Sequence, residues 1–348
     1  MLREDIRDIN DLIQLVQQGE QNWLQYGHVQ VRQHGEILMF NYTDAAESAG
    51  CWNAFERMSR GLMIHRQTGE IVARPFDKFF NWGRPYSTDA ELVCVTEKMD
   101  GSLGILYRLN GEYQIATKSS VQSLQAKWAT AFLKNYDLSD LPDYYTLMFE
   151  VIYPSNRIVV DYGQRQDLVL IGARNRFTGE MASLAERQAL AAQFGFGLPK
   201  IYEFTNATEL HAVLPTLDGQ NEDYVAEFAD GQFFKFKGQR YLELQSQTLS
   251  FNIALQAVID GKTAQLLAET PDEFLPMVHD WLAEIEQTVQ RISTEVRQAF
   301  DQAPKDSQKI FATWVMQHHK PLSSYLFTCL KGQPFEQDIY KHAFPSRQ

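Results

Sequence analysis

A chain of 348 residues, 44% hydrophobic and 12% aromatic, has an ordinary globular composition and is long enough to bury two cores. Its formal net charge of −12 counts against a broad nucleic-acid-binding face, and its three widely spaced cysteines argue against a disulfide framework or a cysteine zinc site. No uninterrupted apolar stretch is long enough to cross a bilayer, so no membrane partner is expected.

Residues 1–20 carry Ile6, Ile9, Leu12, Ile13 and Val16 among polar side chains, which predicts an amphipathic helix rather than a signal peptide, and a cytoplasmic protein. From about residue 29 to 240, short β-prone runs alternate with turn signals. They fall at residues 30–31, 36–40, 92–95, 103–107, 113–116, 145–153, 168–173, 224–228 and 233–236, with turns at Asn110-Gly111, Thr178-Gly179 and Asp230-Gly231. Helices fit residues 122–135 and 184–194, so this part reads as α+β with mainly antiparallel pairing. After Lys237 the pattern turns helical. Apolar residues keep helical spacing over 241–259, and Thr270-Pro271-Asp272-Glu273 forms a capping box that opens a run to about Phe300. Residues 309–318 and 323–330 complete the tail. The expected division is 1–243 and 244–348, and a monomer is expected.

Charge is unevenly spread. Residues 57–84 hold six Lys or Arg against two acids, whereas 263–290 hold six acids and no Lys or Arg. A positive site on an acidic body fits these counts.

The most informative segment is Glu97-Lys98-Met99-Asp100-Gly101-Ser102, between two β-prone runs. An Asp-Gly after a lysine is commonly a hairpin turn, and alone it would be read so. The alternative is a lysine nucleophile that attacks a nucleotide α-phosphate, which needs its neutral amine favoured by neighbouring cations or desolvation. Other residues give that reading weight. Arg60 and Lys78 supply fixed positive charge suited to a triphosphate, although a surface arginine and core packing of Phe79 and Phe80 would explain the same segment. Glu150 interrupts an apolar strand, where a carboxylate needs a partner or a task. Lys235 and Lys237 alternate along one strand face, an unfavourable pair unless an anion bridges them. A bridging α-phosphate would be stabilised there, and the pair would help depress the Lys98 pKa.

The order and spacing of these motifs over residues 55–243 resemble the covalent nucleotidyltransferase superfamily and, within it, the RNA ligase 1 family typified by the phage T4 enzyme. The resemblance implies an antiparallel-sheet nucleotidyltransferase domain. It also implies use of ATP with Mg²⁺ or Mn²⁺ to join RNA 5′-phosphate and 3′-hydroxyl ends, those of a cleaved tRNA loop being the suggested substrate. Lys98 is then the site of AMP attachment, and Lys235 and Lys237 assist the transfer. Arg60, Lys78, Phe80, Glu97, Asp100, Gly101, Lys118 and Glu150 belong to the nucleotide site, Glu150 gripping the ribose hydroxyls. Glu222 is the metal residue, with Glu227 as competitor. One position departs from the pattern, which has glycine where this chain has Asp223. The helical tail is the part the family links to RNA choice. A capping guanylyltransferase or DNA ligase shares the lysine chemistry, and a nucleotide- or RNA-binding protein without turnover is the reading from another class.

Overall fold

Strand-forming runs of the first unit assemble into three sheets in the computed structural model, which describes residues 6–83, 85–158, 160–216, 223–238, 249–270 and 274–344. Strands and helices are numbered in chain order. Sheet one runs β1 (Val29–His34), β2 (Ile37–Tyr42), β3 (Arg60–His65), β4 (Ile71–Ala73), each antiparallel to the next. Helix α1 (Ile9–Gln17) is capped by the Asp8 carboxylate, which accepts from the Asn10 and Asp11 N–H groups. Its Leu12 and Val16 join Trp23, Phe40 and Phe55 in one core over this sheet.

Sheet two contains β7 (Ser102–Leu109), β8 (Glu112–Ala116), β9 (Tyr145–Ile152) and β10 (Asp167–Asn175) in the order β10-β9-β7-β8. Two helices lie on it through a shared core that includes Leu133, Phe149 and Phe194: α4 (Leu124–Phe132) and α5 (Leu184–Phe194). A reciprocal Ser183–Glu186 capping box starts α5, and Gly195 at φ 80° ends it in the left-handed region.

Sheet three is ordered β11-β6-β12-β13-β5, from β5 (Phe80–Asn81), β6 (Leu92–Glu97), β11 (Ile201–Tyr202), β12 (Tyr224–Phe228) and β13 (Phe233–Phe236). All its pairs are antiparallel except β13 with β5. Trp82 stacks on Phe228 and Phe236 and meets Phe234 edge-on, which closes one face of this sheet.

The hairpin reading of Lys98-Met99-Asp100-Gly101 is overturned. β6 pairs with β11 and β12 whereas β7 pairs with β8 and β9, so the segment is a crossover from sheet three to sheet two. Strands β3, β4, β5 and β11 and the short helices α2 (Asp44–Ser48), α3 (Ala54–Met58) and α6 (Ala207–Val213) were not expected from the sequence pattern. Most are too short to show a period, and their pairing is long-range.

The chain divides into Met1–Thr248 and Leu249–Gln348, and the second unit is helical. The division expected at 243/244 lies outside the described residues, as do the start of the 241–259 run and Pro271, Asp272 and Glu273 of the capping box. Described helices are α7 (Phe251–Ile259), α8 (Thr263–Glu269), α9 (Leu275–Gln302), α10 (Gln308–His318), α11 (Ser323–Leu330) and α12 (Glu336–His342). Val296, Phe311, Val315, Leu326 and Ile339 form this unit's main core. Among the described residues no helix is long and apolar enough to cross a membrane.

Candidate active site

The crossover between β6 and β7 is held from both sides, which makes Lys98 a fixed point rather than a turn residue. The Lys98 N–H donates to the Asp223 carbonyl at 2.8 Å, which continues the β6–β12 ladder one residue past the Glu97–Tyr224 pair. Downstream, the Gly101 N–H donates to Glu150 Oε1 at 2.9 Å. A Cβ at Gly101 would stand 2.6 Å from the Val151 carbonyl oxygen, so only glycine lets β9 come this close. Asp100 is 4% exposed, and its Oδ2 accepts the Val160 N–H at 2.8 Å while its own N–H donates to the Tyr162 hydroxyl at 3.0 Å. Its carboxylate therefore anchors the loop after β9. Glu97 is likewise engaged, exchanging hydrogen bonds with the Lys200 backbone.

Two carboxyls flank Lys98. Glu150, in the apolar strand β9, is pushed up to about 7 by burial, against the opposing influence of Lys98, the Gly101 N–H and Arg60. Asp223, 1% exposed, is also raised by burial, with Lys98, Lys237 and the Gly238 N–H acting the other way. Its Oδ1 accepts the Gly238 N–H at 2.7 Å, and its Oδ2 is buried with no hydrogen-bond partner among the described residues. Asp223 thus touches the backbone at both Lys98 and the residue after Lys237.

In β13, Phe234 and Phe236 are buried, while Lys235 and, just past the strand's end, Lys237 alternate with them at half-buried positions. Lys235 Nζ lies 5.4 Å from the Phe79 ring centroid, and the Arg60 guanidinium approaches the same ring at 5.7 Å. Arg60 Nη1 is buried with no hydrogen-bond partner among the described residues. Gly61, at φ 89°, would bring a Cβ to 3.2 Å from the Lys118 Cα, so the start of β3 and the segment after β8 can meet only through glycine.

Lys78 has different surroundings. It is 3% exposed, pairs with Glu47 of α2 at 2.8 Å, and lies 5.1 Å, 4.8 Å and 5.8 Å from the ring centroids of Tyr42, Trp52 and Phe80. Phe80 stacks on Tyr86 with centroids 3.9 Å apart, and Lys118 Nζ reaches the Tyr42 ring at 5.5 Å. Glu47, Tyr42 and Trp52 had no sequence signal beyond residue type, because only the fold brings α2 and β2 to Lys78.

The two metal candidates separate. Glu222 lies outside the described residues. Glu227 is ion-paired at 2.8 Å with Arg187 of α5, 16% and 6% exposed respectively, so its carboxylate is already neutralised there. Among the described residues no three His, Cys, Asp or Glu gather in a cluster that would hold a metal ion.

A family model described as RNA ligase matches residues 58–242. A protein named as a bifunctional polynucleotide kinase/RNA ligase in Autographa californica nuclear polyhedrosis virus is 27% identical over 277 residues, covering 68% of this chain and 39% of that protein. One named as an RNA ligase in Thermovibrio ammonificans is 30% identical over 156 residues, covering 42% of this chain and 40% of that protein. The chain thus spans about two fifths of the length of these relatives. Among solved structures, an RNA ligase variant from Naegleria gruberi with ATP and Mn is similar at 19% identity and a TM-score of 0.37, over 45% of this chain and 52% of that one.

Proposed function

The chain belongs to the RNA ligase family, whose model covers residues 58–242, and from that membership we propose that it is an ATP-dependent RNA ligase acting through a lysyl-AMP intermediate on Lys98. The observation that carries the reading is the convergence on one short segment of Lys98, Asp223 with the Lys237 end of β13, and Glu150 with Arg60 beside it. A hairpin turn would need none of these partners.

In the proposed first step the Lys98 Nζ attacks the ATP α-phosphate. The N–P bond forms, the bond to the bridging oxygen breaks, pyrophosphate leaves with the electron pair, and the amine nitrogen gives up one proton to solvent. Lys235 and Lys237 offset the charge that develops on the phosphate oxygens, and Arg60 Nη1, which has no hydrogen-bond partner among the described residues, supports a further phosphate contact. Glu150 is proposed to hold the ribose hydroxyls, as an acceptor when ionised. AMP then passes to an RNA 5′-phosphate and is displaced by a 3′-hydroxyl, which seals the strand. A cleaved tRNA is the proposed natural substrate, and residues 249–348 are proposed to select it.

A divalent cation, Mg²⁺ or Mn²⁺, would supply charge neutralisation on the phosphates when bound. Carboxylate oxygens are the donors such a hard cation takes, and Glu222 is the residue proposed to hold it.

The test is to incubate the protein with labelled ATP or GTP and Mg²⁺ or Mn²⁺, resolve it under denaturing conditions, and chase with 5′-phosphorylated RNA or DNA. Label from ATP that is absent in Lys98→Ala and is discharged by RNA supports the proposal. Label from GTP would point to a capping-type enzyme, and discharge only by DNA to a DNA ligase. A folded protein that takes no label from either nucleotide would sink it.

A further inference from the structure

Asp223 stands where the family pattern has glycine, and its surroundings give the substitution a task. The last β12–β13 pair is Tyr224 with Phe236, and the last β12–β6 pair is Tyr224 with Glu97. Lys98 and Lys237 therefore both lie just past the end of their ladders. Among the described residues, backbone pairing extends only one side, through the Asp223 carbonyl and the Lys98 N–H at 2.8 Å. The other side is extended by a side chain, Asp223 Oδ1 accepting the buried Gly238 N–H at 2.7 Å. A glycine could make the first bond and not the second. Its absence would take the Asp223 acceptor away from the buried N–H directly after Lys237 and loosen the end of β13.

We propose that Asp223 is a positioning residue for adenylyl transfer: its carboxyl ties the backbone after Lys237 to the strand end that carries Lys98, and so sets the spacing of the two lysines. The proposal rests on the reading of Lys98 as the nucleophile. Asp223 is not itself required to touch the nucleotide. Misplacement of a catalytic group by about 1 Å costs on the order of a hundredfold in rate, which is the scale at which such a tie matters.

The experiment compares wild type, Asp223→Gly, Asp223→Ala and Asp223→Asn in single-turnover labelling of Lys98 by ATP, with melting temperature and amide exchange at Gly238 read in parallel. Asn keeps the acceptor oxygen, whereas Gly and Ala remove it. The expected result is that Gly and Ala lose roughly ten- to a hundredfold in the labelling rate at saturating ATP, with little change in the ATP concentration for half-maximal rate. Asn restores most of the rate, and the Gly238 amide is protected in wild type and Asn and exchanges quickly in Gly and Ala.

Wild-type labelling in Asp223→Gly would overturn the proposal. So would an Asn variant as slow as Gly; if added Mn²⁺ then rescued it, the carboxylate would be a metal ligand. Rapid exchange of Gly238 in the wild type, a reading that needs no variant to fold, would also overturn it. A wild type that takes no label while Gly238 stays protected would place the failure in the ligase reading, and the positioning role would fall with it.

Discussion

Glu150 sits in β9 between the buried Phe149 and Val151, and it meets the charges of Lys98, Arg60 and Asp100. Burial raises its carboxyl from an ordinary 4.5 to about 7. The folded protein therefore holds this proton over a range where the unfolded chain has released it. By linkage, stability falls as pH rises from about 4.5 to about 7 and is level on either side, a loss of at most roughly 3 kcal/mol. Glu150→Gln cannot lose a proton, so chemical denaturation at pH 5 and pH 7.5 should show the wild type losing stability relative to the variant. Parallel curves would refute the burial argument. Gly101 gives a second prediction at this scale. Gly101→Ala forces a Cβ to 2.6 Å from the Val151 carbonyl oxygen and 3.4 Å from Glu150 Cγ, at a cost of about 1–3 kcal/mol. Its melting temperature should drop and its Lys98 labelling should slow together. Glu150 and the Lys235–Lys237 pair were legible in the sequence because each breaks a local rule, such as a carboxylate in an apolar strand, and Lys98 and Gly101 only in their company, since alone they read as a turn. Glu47 was not, since its pairing with Lys78 spans 31 residues and exists only once α2 is placed.

At the scale of elements, β12 decides how the site is wired. Tyr224, Ala226 and Phe228 are buried on one face, and the other face points Glu227 at Arg187 of α5. That ion pair gives Glu227 a structural task. Glu227→Ala should destabilise the protein by about 3–5 kcal/mol, because it strands a guanidinium that is 6% exposed. A metal ligand would behave differently, leaving the melting temperature nearly unchanged and raising the Mg²⁺ or Mn²⁺ concentration needed for labelling. Glu222→Ala is expected to do the latter. Measuring both variants by both readouts separates the roles, and a Glu227→Ala protein that melts like wild type but demands more metal would reverse them. The strands themselves were largely readable from alternation and turn signals. What alternation could not supply was partnership: an Asp-Gly after a β-prone run looks like a hairpin, and long-range pairing of β6 with β12 and β7 with β9 makes it a crossover.

On the scale of the whole molecule, the described residues named for the site all lie within Met1–Thr248, and this unit carries its own apolar clusters, among them Phe149 with Leu168 and Phe40 with Phe55. The helical unit has its own as well, around Phe311 and Leu326. Helices α7, α9, α10 and α11 fall within runs readable from their period and α8 and α12 do not, whereas the unit's role is not readable, because an acidic helical surface is compatible with many partners. If Leu249–Gln348 serves only to select RNA, adenylyl transfer should not need it. A chain ending at Thr248 is expected to fold, to take label from ATP on Lys98 at a rate comparable to the full chain, and to seal nicked or broken RNA poorly. Circular dichroism checks the fold, denaturing electrophoresis checks the label, and a ligation time course on RNA ends checks sealing. A folded fragment that takes no label would mean that the helical unit contributes to the nucleotide step itself. Equal sealing by fragment and full chain would remove the helical unit from RNA choice and leave selection to the lysine-bearing unit.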